Sequence, residues 1–404
     1  MTTDNTDNIN IFKKLTVLSL EQAIVVPYFT YRMVLDGAQV VRLEHPVIHD
    51  PNRLIGDKVL DEERMNAYFL TINSGKKALT LNLKEAQGRE ILHELIKKLD
   101  VDIFVTNQLP KNYLKLGIDY DTLSATKKDL IWIGVTGFGP DRNEGAYDPI
   151  LQARAALMDL TGEADGSPQV LGVPLPDMGS SEQVYGLAMR ALYKRELTGV
   201  GSRIDFSMFK SSTSWHAINI PMTASFNKKL TRRGNTHDFF APVSVFATKD
   251  GFVYLAVGND RQWQALAGLE EFKKLDQECY RNNSGRIADV KNLNRILNEI
   301  TAKYTSKELL KQLALITVPA SKINSLPDLI EDELIKDDLL TATDTRSGKK
   351  ITLSPPPHAT DYIKECKQKL SFPPRLGENN SEIYSTGLGF SPEKMDRLRE
   401  DKII

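Results

Sequence analysis

Cysteine is scarce: Cys279 and Cys366 are the only two in 404 residues, and they lie far apart. That excludes a disulfide framework and the paired spacing of a zinc site. It also fits a reducing setting, so a cytoplasmic location is expected. Long apolar runs are missing too; none approaches the ~18 residues needed to cross a bilayer, and no membrane partner is expected. The N-terminal "MTTDNTDNINIFKK" is polar and carries no apolar signal core. Lys and Arg number 52 against 53 Asp and Glu, a net charge of -1. No basic field exists to attract nucleic acid. Cofactor motifs are absent as well. No G-x-G-x-x-G follows the first apolar run, "NSGKKAL" holds only the Gly-Lys of a phosphate loop, and there is no G-x-S-x-G elbow. His45 and His49 are four apart, but Pro46 between them disfavours a helical metal pair. No bound cofactor and no metal are expected.

What is present reads as an ordinary folded chain, 41% apolar and 26% charged. Its length calls for two domains, or one large domain with a smaller one inserted, rather than one small core. "LTVLSLEQ" (15–22) is strand-like, "YFTYRMVLDGA" (28–38) has helical spacing and "QVVRLEHP" (39–46) is again strand-like, a β-α-β crossover. "GKKALTLNL" (75–83) reads as a strand. "KEAQGREILHELIKKL" (84–99) reads as a helix with Ile91, Leu92, Leu95, Ile96 and Leu99 on one side. "VDIFVTN" and "LIWIGVTGFG" suit buried parallel strands. The fold class predicted is α/β: a Rossmann-like large domain with a parallel sheet, plus a smaller α+β domain. The large domain is expected over 1–224, and the small one over 225–330 with a hairpin turning on Lys249-Asp250-Gly251. A C-terminal segment, 331–404, returns to the large domain, its "SPPPHAT" and "FPPRLGENNSEI" running as extended straps.

One carboxylate stands in an unusual place. In "GVPLPDMGSSEQ" (172–183), Asp177 follows two prolines and precedes Gly179, just before the helical pattern "SSEQVYGLAMRALYKRELTG". An acid there can be a helix cap, although Ser180 or Ser181 would cap as well. A rigidly presented functional carboxylate is the other reading.

An ordered series of segments resembles the family III, formyl-CoA transferase-like (CaiB/BaiF) CoA-transferases. It comprises "VLSLEQAIVVPYFTYRMVLDGAQVVRLEHP", "YFLTINSGKKALTLNL", "VDIFVTNQLPKNYLKLGIDYDTL", "IWIGVTGFGPD", "AYDPILQARAALMDLTG", "GVPLPDMGSSEQVYGLAMRALYKRELTGVGSRIDFSMF", "FATKDGFVYLAVGNDRQWQAL", "ITVPASKI" and "PPRLGENNSEIY". The resemblance implies transfer of coenzyme A from an acyl-CoA to a free carboxylic acid. The CoA thioester would be substrate rather than resident cofactor. It also implies an interlocked-ring homodimer, with a heteromer as the variant.

The resemblance places the family's catalytic aspartate at Asp177. That chemistry needs an ionised, rigid, water-shielded carboxylate nucleophile, and a helix starting just after Asp177 would favour ionisation. For CoA and substrate binding it points to Gln22 and Ala23 at the mouth of the site, and to His45 after the Val-x-x-Glu of the second strand, with Arg42 close by in sequence. His45 stands where some members carry Arg. Asn73, Lys76 and Lys77 fall in the next CoA segment, followed by Asn107, Lys115 and Asp148. Gly258 and Asn259 match a loop that is glycine-rich in some members, although one Gly remains here. The alternatives are plain ones: a strand-to-helix turn at Gln22–Ala23, solvated lysines, a structural hydrogen bond at Asp148 and a β-to-α turn at Gly258. Arg154, Arg232, Arg233 and Arg261 are candidates to hold a second carboxylate. Two rival functions remain. An α-methylacyl-CoA racemase would need a His where Tyr147 stands. A CoA-binding, non-catalytic subunit would not need Asp177.

Overall fold

A computed structural model of the chain describes residues 10–404. The chain divides into two compact units. The first comprises residues up to Ala156, Leu171–Phe226 and Asp337–Ile404; the second comprises Leu157–Val170 and Asn227–Lys336. Leu157–Val170, expected in the large domain, thus clusters with the second unit. Its polar contacts accord with this: Asp159 pairs with Arg232 at 2.8 Å, and the Gly234 N–H donates to Gly162 O at 2.9 Å.

The first unit is built on six parallel strands: β1 (Thr16–Leu20), β2 (Gln39–Glu44), β3 (Lys77–Thr80), β4 (Ile103–Thr106), β5 (Ile131–Thr136) and β6 (Ser202–Ser207). Their order is β3-β2-β1-β4-β5-β6. Chain direction across the sheet reverses between β1 and β4, and a ligand crevice is expected outside the carboxyl ends of those two strands. The parallel α/β expectation therefore holds.

Neighbouring residues of each strand feed opposite cores, as the two-residue period demands. Leu18, Val41, Phe104 and Trp132 pack on one face with Ile91, Leu92, Leu95 and Ile96 of α2 (Ala86–Lys98). Val17, Val40, Ile103 and Ile131 pack on the other with α1 (Val25–Leu35) and α4 (Leu175–Thr198). Between these helices in sequence lies α3 (Asp148–Arg154), and α5 (Met208–Ser214) follows β6.

In the second unit, β7 (Val243–Thr248) and β8 (Gly251–Ala256) form the antiparallel hairpin, and β9 (Ala320–Lys322) joins β8. Helices α6 (Asp260–Ala267), α7 (Val290–Thr301) and α8 (Ser306–Leu315) pack on this sheet through Trp263, Leu266, Leu297 and Leu309.

The C-terminal segment contains a small sheet that the sequence did not reveal, β10 (Leu340–Thr343), β11 (Lys350–Leu353) and β12 (Lys369–Leu370), and a last helix, α9 (Pro392–Glu400). The proline-rich stretch after β12 runs across the first unit: Gly75 N–H donates to Ser371 O and the Arg53 guanidinium to Pro374 O. Beyond it, Asn379 and Asn380 accept the Ala78 and Thr80 N–H groups at the open edge of β3, and the Tyr384 hydroxyl donates to Thr80 O.

Candidate active site

Asp177 is not in a loop. Helix α4 begins at Leu175, so Asp177 occupies its first turn. Prolines 174 and 176 permit this early start, because a helix's first N–H groups have no partner to lose. Its N-cap, Pro174, offers no side-chain bond, and the capping role considered for Asp177, Ser180 or Ser181 is filled by none of them. Ser181 is buried, and its hydroxyl donates to Val25 O at 2.6 Å, tying α4 to α1. Gly179 serves close packing rather than flexibility: a Cβ there would lie 3.1 Å from the Trp215 ring.

Two carboxyl groups meet at this helix end. Asp148, the first residue of α3, accepts the Asp177 N–H on Oδ2 at 3.2 Å and the Gln152 amide on Oδ1 at 2.5 Å. Burial, and then the charge of Asp148, push the Asp177 carboxyl up to about 7. These effects outweigh the helix dipole, which favours the anion, so the expected full ionisation near neutrality is corrected. Burial also raises Asp148, opposed by its bonds to Gln152 and Asp177. Tyr68, which the sequence reading passed over, lies in the same field. Its phenol is raised by burial and then by Asp177 and Asp148.

Asp177 lines a cavity of about 370 Å³ with Gln22, Ala23, Asn107, Thr136 and Tyr147. These come from the carboxyl ends of β1, β4 and β5 and from the starts of α3 and α4. Two sequence-distant loops are stitched together here. Asn107 accepts the Gln22 N–H at 3.2 Å and donates to the Gln22 carbonyl at 2.8 Å. A second cavity, about 280 Å³, is lined by Gln22, Gln108, His45, His49, Asp50 and Lys84. Gln22 and Gln108 border both. Lys84, also missed in the sequence, is exposed and has no carboxylate partner among the described residues. His45 holds its loop: Nδ1 accepts the Val47 and Ile48 N–H groups. Desolvation and Lys84 push its imidazole below the usual range.

Three residues expected to touch CoA are committed elsewhere. Arg42, Asn73 and Lys76 are buried and line neither cavity. Arg42 pairs with Asp50 at 3.0 Å and Glu44 at 3.2 Å, and donates to Asn73 at 2.5 Å. Lys76 donates to Glu21 at 3.0 Å, Asn73 at 2.9 Å and Pro27 O at 2.7 Å. Burial, partly offset by Glu21, pushes the Lys76 ammonium down to about 8. Glu44 also takes a paired contact from Arg53 and is held down to about 2, its cationic neighbours outweighing burial. Buried charges require such pairing. Sequence alone does not distinguish a loop cation from one folded inward.

Lys77 pairs with Glu382 at 2.5 Å, and Lys115 is exposed and outside both linings. Gly258 and Asn259 belong to the second unit. Asn259 caps α6 by accepting the Gln262 N–H at 2.9 Å, and Gly258 N–H donates to the Gln262 side chain at 2.8 Å. These bonds make the loop a tight helix start.

The arrangement gives one carboxylate, poised between its neutral and anionic forms, in a confined space. Such a group is a stronger nucleophile than an ordinary surface acid once ionised. Among the described residues lining the cavity there is no histidine.

Comparison with known proteins gives this geometry a family. The model of CoA-transferase family III matches residues 12–380. Mouse succinyl-CoA:glutarate CoA-transferase is 28% identical, over 97% of this chain and 90% of that protein. Succinyl-CoA:mesaconate CoA-transferase of Haloarcula hispanica is 30% identical over 85% and 88% of the two chains. The crystal structure of a CaiB/BaiF family protein from Brucella suis superposes with a TM-score of 0.80 at 29% identity, covering 92% of this chain and 98% of that one. The chain belongs to CoA-transferase family III, enzymes whose substrates are CoA thioesters.

Proposed function

We propose that the chain moves CoA from an acyl-CoA donor to a free carboxylic acid with Asp177 as the covalent carrier. The Asp177 carboxylate attacks the thioester carbonyl, the C–S bond breaks, and an aspartyl-acyl anhydride and CoA thiolate result. The thiolate then attacks the aspartyl carbonyl, releasing the donor acid as its carboxylate and leaving an aspartyl-CoA thioester. The acceptor carboxylate repeats the two steps in reverse and frees Asp177. Each step consumes one anion and creates one, so no proton moves and no base is required. A two-base racemase has no such economy, and the cavity's lack of histidine favours transfer. The observation that carries the reading is Asp177 facing a confined cavity in a chain of this family.

The second cavity is assigned to the nucleotide end of CoA, with Lys84 as its phosphate cation. The two cavities share Gln22 and Gln108, which suits one long ligand. For the acid, the named relatives use succinate, glutarate and mesaconate, and a dicarboxylate is proposed here. Arg154 is the candidate for its distal carboxylate. Its guanidinium lies 4.4 Å from the Phe138 ring centroid and 5.1 Å from that of Phe209. These residues follow Gly137 and Met208 of the cavity lining. Arg232 and Arg233 are instead paired with Asp159 and Asp238. A homodimer in a reducing, cytoplasmic compartment completes the proposal.

The test uses donor without acceptor. Intact-mass measurement should show CoA added to the protein, and borohydride should inactivate it only after donor is present. Absence of a CoA adduct across a panel of acyl-CoA donors, in enzyme that turns over, would remove Asp177 from the role of carrier.

A further inference from the structure

Ala23 sits at φ +61°, in the left-handed region, which costs a residue with a Cβ roughly tenfold in population relative to ordinary backbone. Glycine is the usual occupant. Here the conformation is imposed by three side chains. Asp50 Oδ1 accepts the Ala23 N–H at 3.2 Å, and Asn52 donates to the Ala23 carbonyl at 2.6 Å. Asn107 takes both backbone groups of Gln22. Every backbone hydrogen-bonding group of the Gln22–Ala23 turn is thus occupied, and its position is fixed from outside.

Asp50 is itself held from behind. Its Oδ2 receives Arg42, its Oδ1 also accepts the Asn52 N–H, and its own N–H donates to Glu44. Arg42 and Lys76 converge on Asn73 and Glu21, and Glu21 directly precedes the turn. A buried array of alternating charge therefore ends on one carboxylate: Arg42 holds its Oδ2, and its Oδ1 grips the Ala23 N–H in the wall of the cavity that holds Asp177.

We propose that Asp50 is a positioning residue for CoA transfer: it transmits the buried Arg42–Glu44–Lys76 charge array to the strained Gln22–Ala23 turn, and so sets the wall shared by the two cavities. The proposal rests on reading those cavities as the acyl-CoA site. It also explains why the buried cations are present: they orient the carboxylate that shapes the turn.

The experiment compares wild type, Asp50→Asn, Ala23→Gly and the double variant. Two readouts are taken: steady-state kcat and KM, and the rate at which donor alone forms the CoA adduct on the protein. Asp50→Asn loses the charge that fixes Arg42 and turns an NH2 toward it. The turn drifts, and adduct formation slows by about 100-fold, as a displacement near 1 Å can cause. Ala23→Gly removes the conformational strain, so adding it to Asp50→Asn restores about tenfold of that loss. The two changes are non-additive. If Asp50→Asn is too unstable to purify, Asn52→Ala, which releases only the carbonyl side of the turn, takes its place with the same expected rescue. Wild-type adduct rates in folded Asp50→Asn and Asn52→Ala would overturn the proposal. So would equal losses with and without Ala23→Gly, the pattern of a merely structural residue. Failure of wild type itself to form the adduct would instead refute the Asp177 assignment.

Discussion

The Asp148 carboxylate accepts the backbone N–H of Asp177 at 3.2 Å, so the first residue of one short helix grips the first turn of a long one. The same contact sets two negative groups side by side, and the charge of Asp148 is the second cause, after burial, of the raised Asp177 carboxyl. In the free enzyme kcat/KM for the acyl-CoA should rise with pH, with a midpoint of about 7. Asp148→Asn keeps an acceptor for the Asp177 N–H but removes the charge, and should move the midpoint down. A pH–rate profile of both proteins checks this; an unmoved midpoint would show that burial alone sets it.

Asp177→Asn should lower turnover by at least roughly a thousandfold, the scale for loss of a covalent nucleophile. Its effect on stability has a sign that depends on pH. The folded-state acid titrates near 7 and the unfolded one near its ordinary value of 3.8. The native protein therefore binds more protons between these limits, and this group's contribution falls as pH rises through them. The Asn variant lacks that loss. Its melting temperature relative to wild type should climb between pH 4 and pH 8. A constant difference would count against the raised acid.

Glu44 titrates in the opposite sense. Arg42 and Arg53 hold it down to about 2 against its burial, so its contribution is present above its ordinary value of 4.5 and is lost as pH falls toward 2. Glu44→Gln leaves both buried guanidinium groups undercompensated, at a cost of about 3–5 kcal/mol. Urea unfolding should show that penalty at pH 7 and a much smaller one at pH 3.

Lys84 borders the second cavity without a carboxylate partner among the described residues. Lys84→Ala should raise KM for acyl-CoA by about tenfold, the scale of one charge-assisted contact, and should leave KM for the acid unchanged. A pantetheine thioester, which lacks the nucleotide, should not distinguish the two enzymes. Equal effects on both donors would move the phosphate contact elsewhere.

The sheet was legible in the sequence because two-sided burial writes itself as continuous apolar runs, such as "IWIGV" over β5. Helix starts were less so. Both α1 and α4 begin earlier than the apolar spacing suggested, at Val25 and Leu175, and each accommodates a proline in its first turns. Asp177 is singled out by its segment's resemblance, and Asp148 by the same resemblance with a structural hydrogen bond as its alternative; the bond from the Asp177 N–H to Asp148 and the nearby Tyr68 were not visible, because they join stretches distant in sequence. Arg42 and Lys76 are buried among acids where a ligand contact was expected, and the sequence conceals this for a simple reason. A cation's residue type says nothing about whether the fold supplies acids to surround it. The strands β10–β12 are two to four residues long and carry no usable period.

The closing of the β3 edge by Asn379, Asn380 and Tyr384 has a consequence in time. A ribosome makes β1 to β6 by Ser207, yet the groups that seal Ala78 and Thr80 emerge some 300 residues after those two. Throughout synthesis of the second unit, the sheet carries an unpaired edge and an uncovered patch beside Leu79 and Trp132 that later receives Tyr384, Met395 and Leu398. Such an edge is a template for pairing with another strand. The nascent chain is thus open to edge pairing during the interval before residues 379–398 emerge.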